Sequence, residues 1–155
     1  MYYPDLSTYE YGLDRPLPGV LNVGWLDRAE PYATGAVPDL FAERLRIWFG
    51  SARINQMRGI HQCNLCHNSR SILLPISENP SCESEGKSLF FGNWEIWIPS
   101  SNQIVFACPA LIIHYVESHK YRPPNEFISA VMGDDLKGNW NAGREFEKRV
   151  KAGSP

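Results

Sequence analysis

Two cysteines and two histidines, placed far apart in the chain, constrain this fold more than any other feature. Cys63 and Cys66 form a C-x2-C pair, and His114 and His119 form an H-x4-H pair. Thiolate and imidazole are donors that zinc prefers, and four of them complete a tetrahedral site. The interval between the pairs is much longer than in a simple zinc finger. We therefore predict zinc bound by these four residues, an ion that ties distant parts of the chain together.

Other interpretations of these residues stay open. They also fit two free thiols with two ordinary histidines, whereas a redox-active C-x2-C is disfavoured because no helix start or βαβ pattern follows it. His61 and His67 flank the cysteine pair, so either can replace one of the predicted ligands. Cys82 lies in a polar stretch and Cys108 in an apolar one, and both are interpreted as thiols outside the site.

The spacing of the two histidines places a condition on their helix. Residues five apart diverge by about 140° around a regular α-helix. His114 and His119 therefore meet one ion only if the helix loosens at its end, which the stop at residues 121–124 favours. A spacing of this length lies within the range seen in zinc sites.

The elements around the four residues predict an α+β fold. It is a small zinc-stabilised domain with a C-x2-C knuckle, a β-hairpin and a helix carrying both histidines, plus an N-terminal helix. Helical spacing of Phe41, Leu45, Trp48 and Phe49, followed by Gly50 as the C′ residue, predicts that N-terminal helix. The predicted elements are a weak strand at 20–26, helix 38–49, strands 89–98 and 104–107 around a loop at 99–103, and helices 109–118 and 126–132.

The length of 155 residues favours a single domain. We expect this zinc-binding domain to span residues 1–133, with a long surface loop at 68–87. The first 20 residues, rich in tyrosine and broken by proline, are expected to form an extended arm on the body of the domain. A polar tail follows at 134–155, where residues 144–149 are interpreted as a marginal helix or as disordered.

Charge and targeting features exclude several classes of protein. A formal net charge of −2 argues against a DNA-coating protein, which needs a large cationic surplus. No secretory signal and no apolar run long enough to span a bilayer are visible, so we expect a cytoplasmic protein. In that compartment, a C-x2-C pair is more often a metal site than a structural disulfide.

The segments YPDLS (3–7), LNVGWL (21–26), RG-x-H-x-C-x-x-C (58–66) and P-x-LI-x-HY-x3-H-x-Y-x-PP (109–124) form a specific set of motifs. The chain resembles, over about residues 2–132, an uncharacterised bacterial single-domain family that carries them and has no settled function. The resemblance implies a small cytoplasmic protein with the cysteine and histidine pairs as a metal site. The chain departs from the family pattern at Glu30-Pro31, where the family has His-Pro, and in its longer loop at 68–87.

Three classes of function follow from these features. The first is a non-catalytic protein-interaction module, most concretely an immunity protein that neutralises a bacterial toxin. The second is a nucleic-acid-binding zinc module that uses a basic cluster together with Lys120 and Arg122; the cluster consists of Arg44, Arg46, Arg53 and Arg58. A solvated face explains this basic cluster more simply. The third is a metalloenzyme with an open metal site. No catalytic motif is present and a four-ligand site leaves no position for substrate, so we predict that the protein is not an enzyme.

Overall fold

The computed structural model of the protein describes residues 1–56, 63–66, 94–133 and 140–152. These residues form a five-stranded sheet and four helices, which confirms the predicted α+β class. The elements, in chain order, are β1 (Thr8–Tyr9), β2 (Leu17–Asn22), α1 (Phe41–Ser51), β3 (Arg53–Ile54), β4 (Glu95–Pro99), β5 (Val105–Pro109), α2 (Ile112–His119), α3 (Asn125–Met132) and α4 (Ala142–Ala152).

The sheet has the strand order β1-β2-β5-β4-β3 and is mixed. β4 and β5 form the predicted hairpin, in which Trp97 lies opposite Ala107, and β3 extends it on the far edge. β2 pairs with β5 in parallel, with Asn22 opposite Ala107. This parallel pairing joins the N-terminal segment to the hairpin, and it places the start of α2 next to the end of β2.

The N-terminal arm is extended and lies on the body of the domain, as expected. The amide of Tyr3 donates to the carbonyl oxygen of Trp25 at 3.2 Å, and Tyr9 of β1 is fully buried. The carboxylate of Asp5 accepts hydrogen bonds from the amide of Gly24 and the hydroxyl of Tyr121, both at 2.8 Å. These contacts fasten the arm to the loop after β2 and to the segment after α2.

Helix α1 buries the predicted apolar stripe. Phe41, Leu45, Trp48 and Phe49 are all buried, because their spacing places them on one face of the helix. The helix begins three residues later than predicted, after a turn in which the amide of Phe41 bonds to Pro38. Gly50 lies inside the helix, so its prediction as the C′ residue is wrong.

Both faces of the sheet are covered at β4, which lies between β5 and β3, whereas the sequence predicts a half-buried strand. On one face, Trp94 packs edge-to-face against Phe49 of α1, with ring centroids 5.4 Å apart. On the other face, Trp97 packs against Tyr9 of the arm and Phe146 of α4. The sheet is therefore a central layer between helices on one side and the arm with α4 on the other.

Three predicted bounds differ from the structure for identifiable reasons. β2 begins at Leu17, before Pro18, which is tolerated because the ladder to β5 starts only at Val20. Pro109 ends β5 and does not open a helix, so α2 starts at Ile112. Asn125 is the first residue of α3 and not its cap.

The tail is helical over 142–152, which agrees with the first of the two interpretations of residues 144–149, a helix and not a disordered segment. Residues 142–152 form α4, which lies on the sheet. The predicted loop at 68–87 lies outside the described residues. No helix in the described part of the chain is both long enough and apolar enough to cross a membrane.

Candidate metal centre

The structure brings together all four residues predicted as metal ligands. Cys63 and Cys66 lie on the short turn at 63–66, and His114 and His119 lie on α2. One ligand atom from each residue lies within 4.8 Å of the other three. A group of two thiols and two imidazoles at such separations has the donor chemistry of a structural zinc site.

The distances between ligand atoms fit a tetrahedral ion. Cys66 Sγ lies 3.2 Å from His114 Nε2 and 3.3 Å from His119 Nε2. Cys63 Sγ lies 3.4 Å from His119 Nε2, and the two Nε2 atoms are 3.2 Å apart. A zinc ion with Zn–S of about 2.3 Å and Zn–N of about 2.0 Å separates its ligands by roughly 3.3–3.8 Å. The four side chains are thus already spaced for such an ion.

The end of α2 explains how histidines five residues apart meet. Lys120 follows His119 directly and has a left-handed backbone, with φ of 54°. The amides of Lys120 and Tyr121 both bond back to the carbonyl oxygen of Tyr115, five and six residues earlier, and the Tyr121 bond is 3.1 Å long. The two imidazole rings stand almost perpendicular, at 80°, with both Nε2 atoms turned inward. The last turn of α2 is thus wider than a regular α-helical turn, which confirms the prediction that the helix loosens at its end.

Burial keeps the imidazoles neutral at physiological pH. The pKa of His114 is lowered to about 4. Desolvation by burial is the larger cause, and the charge of the neighbouring His119 is the smaller one. Desolvation also lowers the pKa of His119. Since a metal binds only the neutral imidazole, both rings are in their ligating form near pH 7.

The buried thiol needs a cation to ionise. Desolvation raises the pKa of Cys63 to about 11, although backbone amides of Cys66 and Leu65 oppose the shift. A bound divalent ion reverses this balance, because a coordinated thiol loses its proton. The Cys63 thiol is therefore expected to keep its proton without a metal and to become a thiolate when a metal binds.

Contacts around the four ligands hold the turn and the helix in place. The side-chain amide of Asn64, inside the turn, donates to Asp27 Oδ2 at 2.7 Å. Glu117 lies between the two histidines and forms an ion pair with Arg46 of α1. The ring of Tyr115 packs beside both imidazoles, with centroid distances of 6.1 and 6.3 Å. The sequence signals none of these supporting contacts, since each joins segments distant in the chain or residues whose pattern fits a surface.

The remaining cysteines and histidines fall into two groups. Cys108 lies away from the cluster, fully buried on β5, where its thiol donates to the carbonyl oxygen of Ile96 at 3.5 Å. This agrees with its interpretation as a packing residue. His61, His67 and Cys82 lie outside the described residues, so the prediction that a flanking histidine can replace a ligand stays a prediction.

Sequence reasoning missed a second polar centre, formed around Glu95 of β4. Glu95 is 2% exposed and accepts hydrogen bonds from Tyr9, from the side-chain amide of Asn55 at 3.1 Å and from the indole of Trp97 at 3.4 Å. No cationic side chain in the described part of the chain pairs with it, and desolvation raises its pKa to about 7. In the sequence, the strand alternation places Glu95 on the polar face, which hides its burial.

Comparison with protein families gave a match over most of the chain. Residues 1–132 match a family described as a domain of unknown function (DUF7919). The chain belongs to this family. The resemblance to an uncharacterised family is thereby confirmed, and the four candidate ligands lie inside the part of the chain that DUF7919 covers. Neither curated proteins nor solved structures gave a match.

Proposed function

We propose that this member of DUF7919 is a non-catalytic protein-interaction module whose fold is fastened by one zinc ion. The observation that carries the proposal is the convergence of Cys63, Cys66, His114 and His119, whose ligand atoms lie within 4.8 Å of one another. Two sulfur and two nitrogen donors favour zinc over magnesium or calcium, which prefer oxygen. The metal would join the turn at 63–66 to α2, because it would take two ligands from each, and its binding free energy would add to the free energy of folding.

The closed ligand set supports a structural role over a catalytic one. A catalytic zinc site keeps one coordination position for water or substrate, whereas four protein ligands fill a tetrahedral sphere. Glu117, the one carboxylate between the histidines, is engaged by Arg46. A base in that position would need a free carboxylate and a metal-bound water beside it.

The finer proposal is an immunity protein that masks a bacterial toxin in the cytoplasm. A rigid, mildly acidic domain without a catalytic motif suits that work. The aromatic content contributes little support, because Tyr9, Trp48, Trp97 and Tyr121 are buried in the core of the described residues and cannot anchor a partner. We expect the partner-binding face to include the loop at 68–87 or the N-terminal arm and not the buried metal centre.

The nucleic-acid alternative receives less support from the basic cluster. Arg44 donates to the carbonyl oxygens of Met132 and Gly133, and Arg46 pairs with Glu117. Arg53 bonds to Phe49 and stacks on the ring of Trp94 at 4.5 Å. Side chains held in this way stabilise the fold and are poorly placed to contact phosphates, while Arg58 lies outside the described residues.

Metal analysis tests the structural half of the proposal. Protein purified without chelators is expected to hold about one zinc ion per chain, and chelation is expected to abolish its cooperative unfolding transition. Metal-free protein that still unfolds cooperatively at the same temperature would remove the zinc-fastened module.

Affinity purification from the native host tests the interaction half. We expect a bound toxin, encoded by a neighbouring gene, and suppression of its toxicity when both genes are expressed together. A chain recovered alone, with no toxin gene beside its own, would exclude the immunity role and leave the metal centre unaffected.

A further inference from the structure

Helix α4 packs on the sheet of the domain and carries its own stabilising contacts. Its first amides are capped by Asn141, whose Oδ1 accepts from the amide of Arg144 at 2.9 Å. Glu145 pairs with Lys148 and Arg149, at the (i, i+3) and (i, i+4) spacings that stabilise an isolated helix. The match to DUF7919 ends at residue 132, so α4 lies outside the matched region. The segment therefore has its own N-cap and ion pairs, and it packs on the domain formed by the preceding residues.

The surface beneath α4 has a specific shape and chemistry. Phe146 packs edge-to-face on the fully buried ring of Trp97, with centroids 5.3 Å apart. Before the helix, the indole of Trp140 donates to the carbonyl oxygen of Trp97 at 3.1 Å. Ala142, Phe146 and Val150 recur every four residues, and the two larger side chains pack against the core. One apolar face of the helix thus packs on the ring of Trp97.

Two backbone carbonyl oxygens close to this contact accept hydrogen bonds from the guanidinium of Arg149. Its Nη1 donates to the carbonyl oxygen of Pro18 at 3.0 Å, and its Nη2 donates to that of Gln103 at 2.8 Å. Both peptides have unusual backbones, since Gly19 has φ of 74° and Gln103 has φ of 61°. A Cβ at Gly19 would lie 2.7 Å from Arg149 Nη1, so the missing side chain leaves room for the arginine. Every part of this receptor belongs to the DUF7919 region.

We propose that the surface formed by Trp97, Pro18, Gly19 and Gln103 is a docking site for an amphipathic helix that carries an aromatic residue three positions before an arginine. In this chain α4 fills the site in cis. A helix of the same chemistry, on a partner protein, displaces α4 and fills it in trans. Exchange is feasible because an isolated helix of about 11 residues is marginal in water, so α4 is held mainly by these contacts. A helix tethered in cis acts at an effective concentration on the order of millimolar, so a partner must bind well to displace it.

This inference deepens the proposed interaction role and rests on it, but its test uses purified protein alone. Failure to recover a toxin from the host would count against the immunity role and not against the docking site. Absence of helix binding leaves interaction through other surfaces standing.

The test uses the full chain with Phe146→Ala and Arg149→Ala together, which weakens α4, and a fluorescent peptide of residues 140–152 as the probe. Anisotropy titration is expected to show at least tenfold tighter binding to this variant than to the wild type. An Arg149→Ala change in the peptide is expected to weaken binding at least tenfold. The matched Lys148→Ala peptide is expected to bind like the parent, because the Lys148 side chain is 76% exposed and forms its ion pair with Glu145 of the same helix. A folded variant without saturable peptide binding would overturn the proposal.

Hydrogen exchange on the wild-type chain keeps the proposal testable if the double variant does not fold. The amides of α4 are expected to exchange faster than those of β5, as one unit, through undocking of the helix. Exchange of α4 only through global unfolding would contradict a displaceable helix. A wild-type chain that sediments as a dimer and is dissociated by the peptide would identify a second copy as the occupant and overturn the assignment of a separate partner.

Discussion

Arg46 of α1 forms an ion pair with Glu117 of α2, one turn after His114 and two residues before His119. Both side chains are about four-fifths buried, with exposed fractions of 23% and 20%. The pair joins the first helix of the domain to the helix that presents both imidazoles. It therefore couples the packing of α1 to the orientation of the candidate metal ligands.

A Glu117→Gln substitution tests whether this carboxylate is structural. We expect the free energy of unfolding to fall by about 1 kcal/mol, since a charged hydrogen bond becomes a neutral one in a largely buried position. Metal content is expected to stay at about one ion per chain. The measurement is urea unfolding with elemental analysis, and Glu43→Gln on the exposed side of α1 is the control. Loss of the metal with unchanged stability would contradict a structural role.

The metal centre itself is tested by exchanging one thiol. Cys66→Ser is expected to bring zinc content close to zero, because a hydroxyl is a poor zinc donor. The unfolding free energy should then fall by on the order of 5 kcal/mol or more, since metal binding is linked to folding.

The matched control for this exchange is Cys108→Ser. Cys108 is also a buried cysteine, but it lies outside the cluster. It is expected to keep about one zinc ion while losing some stability through the buried hydroxyl. Equal metal content in the two variants would show that the C-x2-C pair does not bind zinc.

The convergence of the four candidate ligands was predictable from the sequence because its signal is chemical and local. Cys63 and Cys66 have the spacing of a knuckle, and His114 and His119 precede a clear helix stop. Helix α1 was predictable for a similar reason, as the period of its apolar residues depends only on neighbours along the chain.

Long-range pairing explains what the sequence did not reveal. The parallel ladder between β2 and β5 joins residues 85 positions apart, such as Asn22 and Ala107, and no local pattern specifies it. Likewise, Glu95 has an ordinary place in a strand alternation, and only the arm that carries Tyr9 turns it into a buried carboxylate. The docking of α4 depends on Arg149 reaching Pro18 and Gln103, which its own sequence does not indicate.

Gly24 is expected to be intolerant of a side chain. It has φ of 74°, and a Cβ there would lie 2.9 Å from Ile112 Cδ1, at the start of the helix that carries the histidines. We expect Gly24→Ala to lower the free energy of unfolding by about 2–4 kcal/mol, through backbone strain and overpacking. Thermal or urea unfolding measures the change.

Gly12 provides the control for this substitution. It has a similar φ of 69°, but no atom lies within 4 Å of an added Cβ. Gly12→Ala is therefore expected to cost only the backbone strain, about 1 kcal/mol. If both variants lose the same free energy of unfolding, the close approach of Gly24 to α2 does not contribute to the cost of the substitution.

The buried carboxylate of Glu95 makes stability depend on pH in a defined direction. Its pKa is about 7 in the folded protein and 4.5 in the unfolded chain, because burial disfavours the charged form. Between about pH 4.5 and 7, the unfolded chain releases this proton while the folded protein keeps it. The contribution of Glu95 to stability is therefore complete below pH 4.5 and is lost as pH rises towards 7, by about 3 kcal/mol.

Glu95→Gln removes this titration and keeps an acceptor for the side-chain amide of Asn55. We expect the variant to gain stability relative to the wild type as pH rises from 5 to 8, by about 2–3 kcal/mol across that range. Urea unfolding of both proteins at several pH values measures the difference, in which titration of the metal ligands cancels because both proteins carry them. The control is Glu10→Gln, at an exposed glutamate on the same arm as Tyr9. Its unfolding free energy is expected to change with pH as that of the wild type does. If the unfolding free energy of Glu95→Gln also changes with pH as that of the wild type does, Glu95 is ionised in the folded protein throughout this range. Its burial would then not make stability depend on pH.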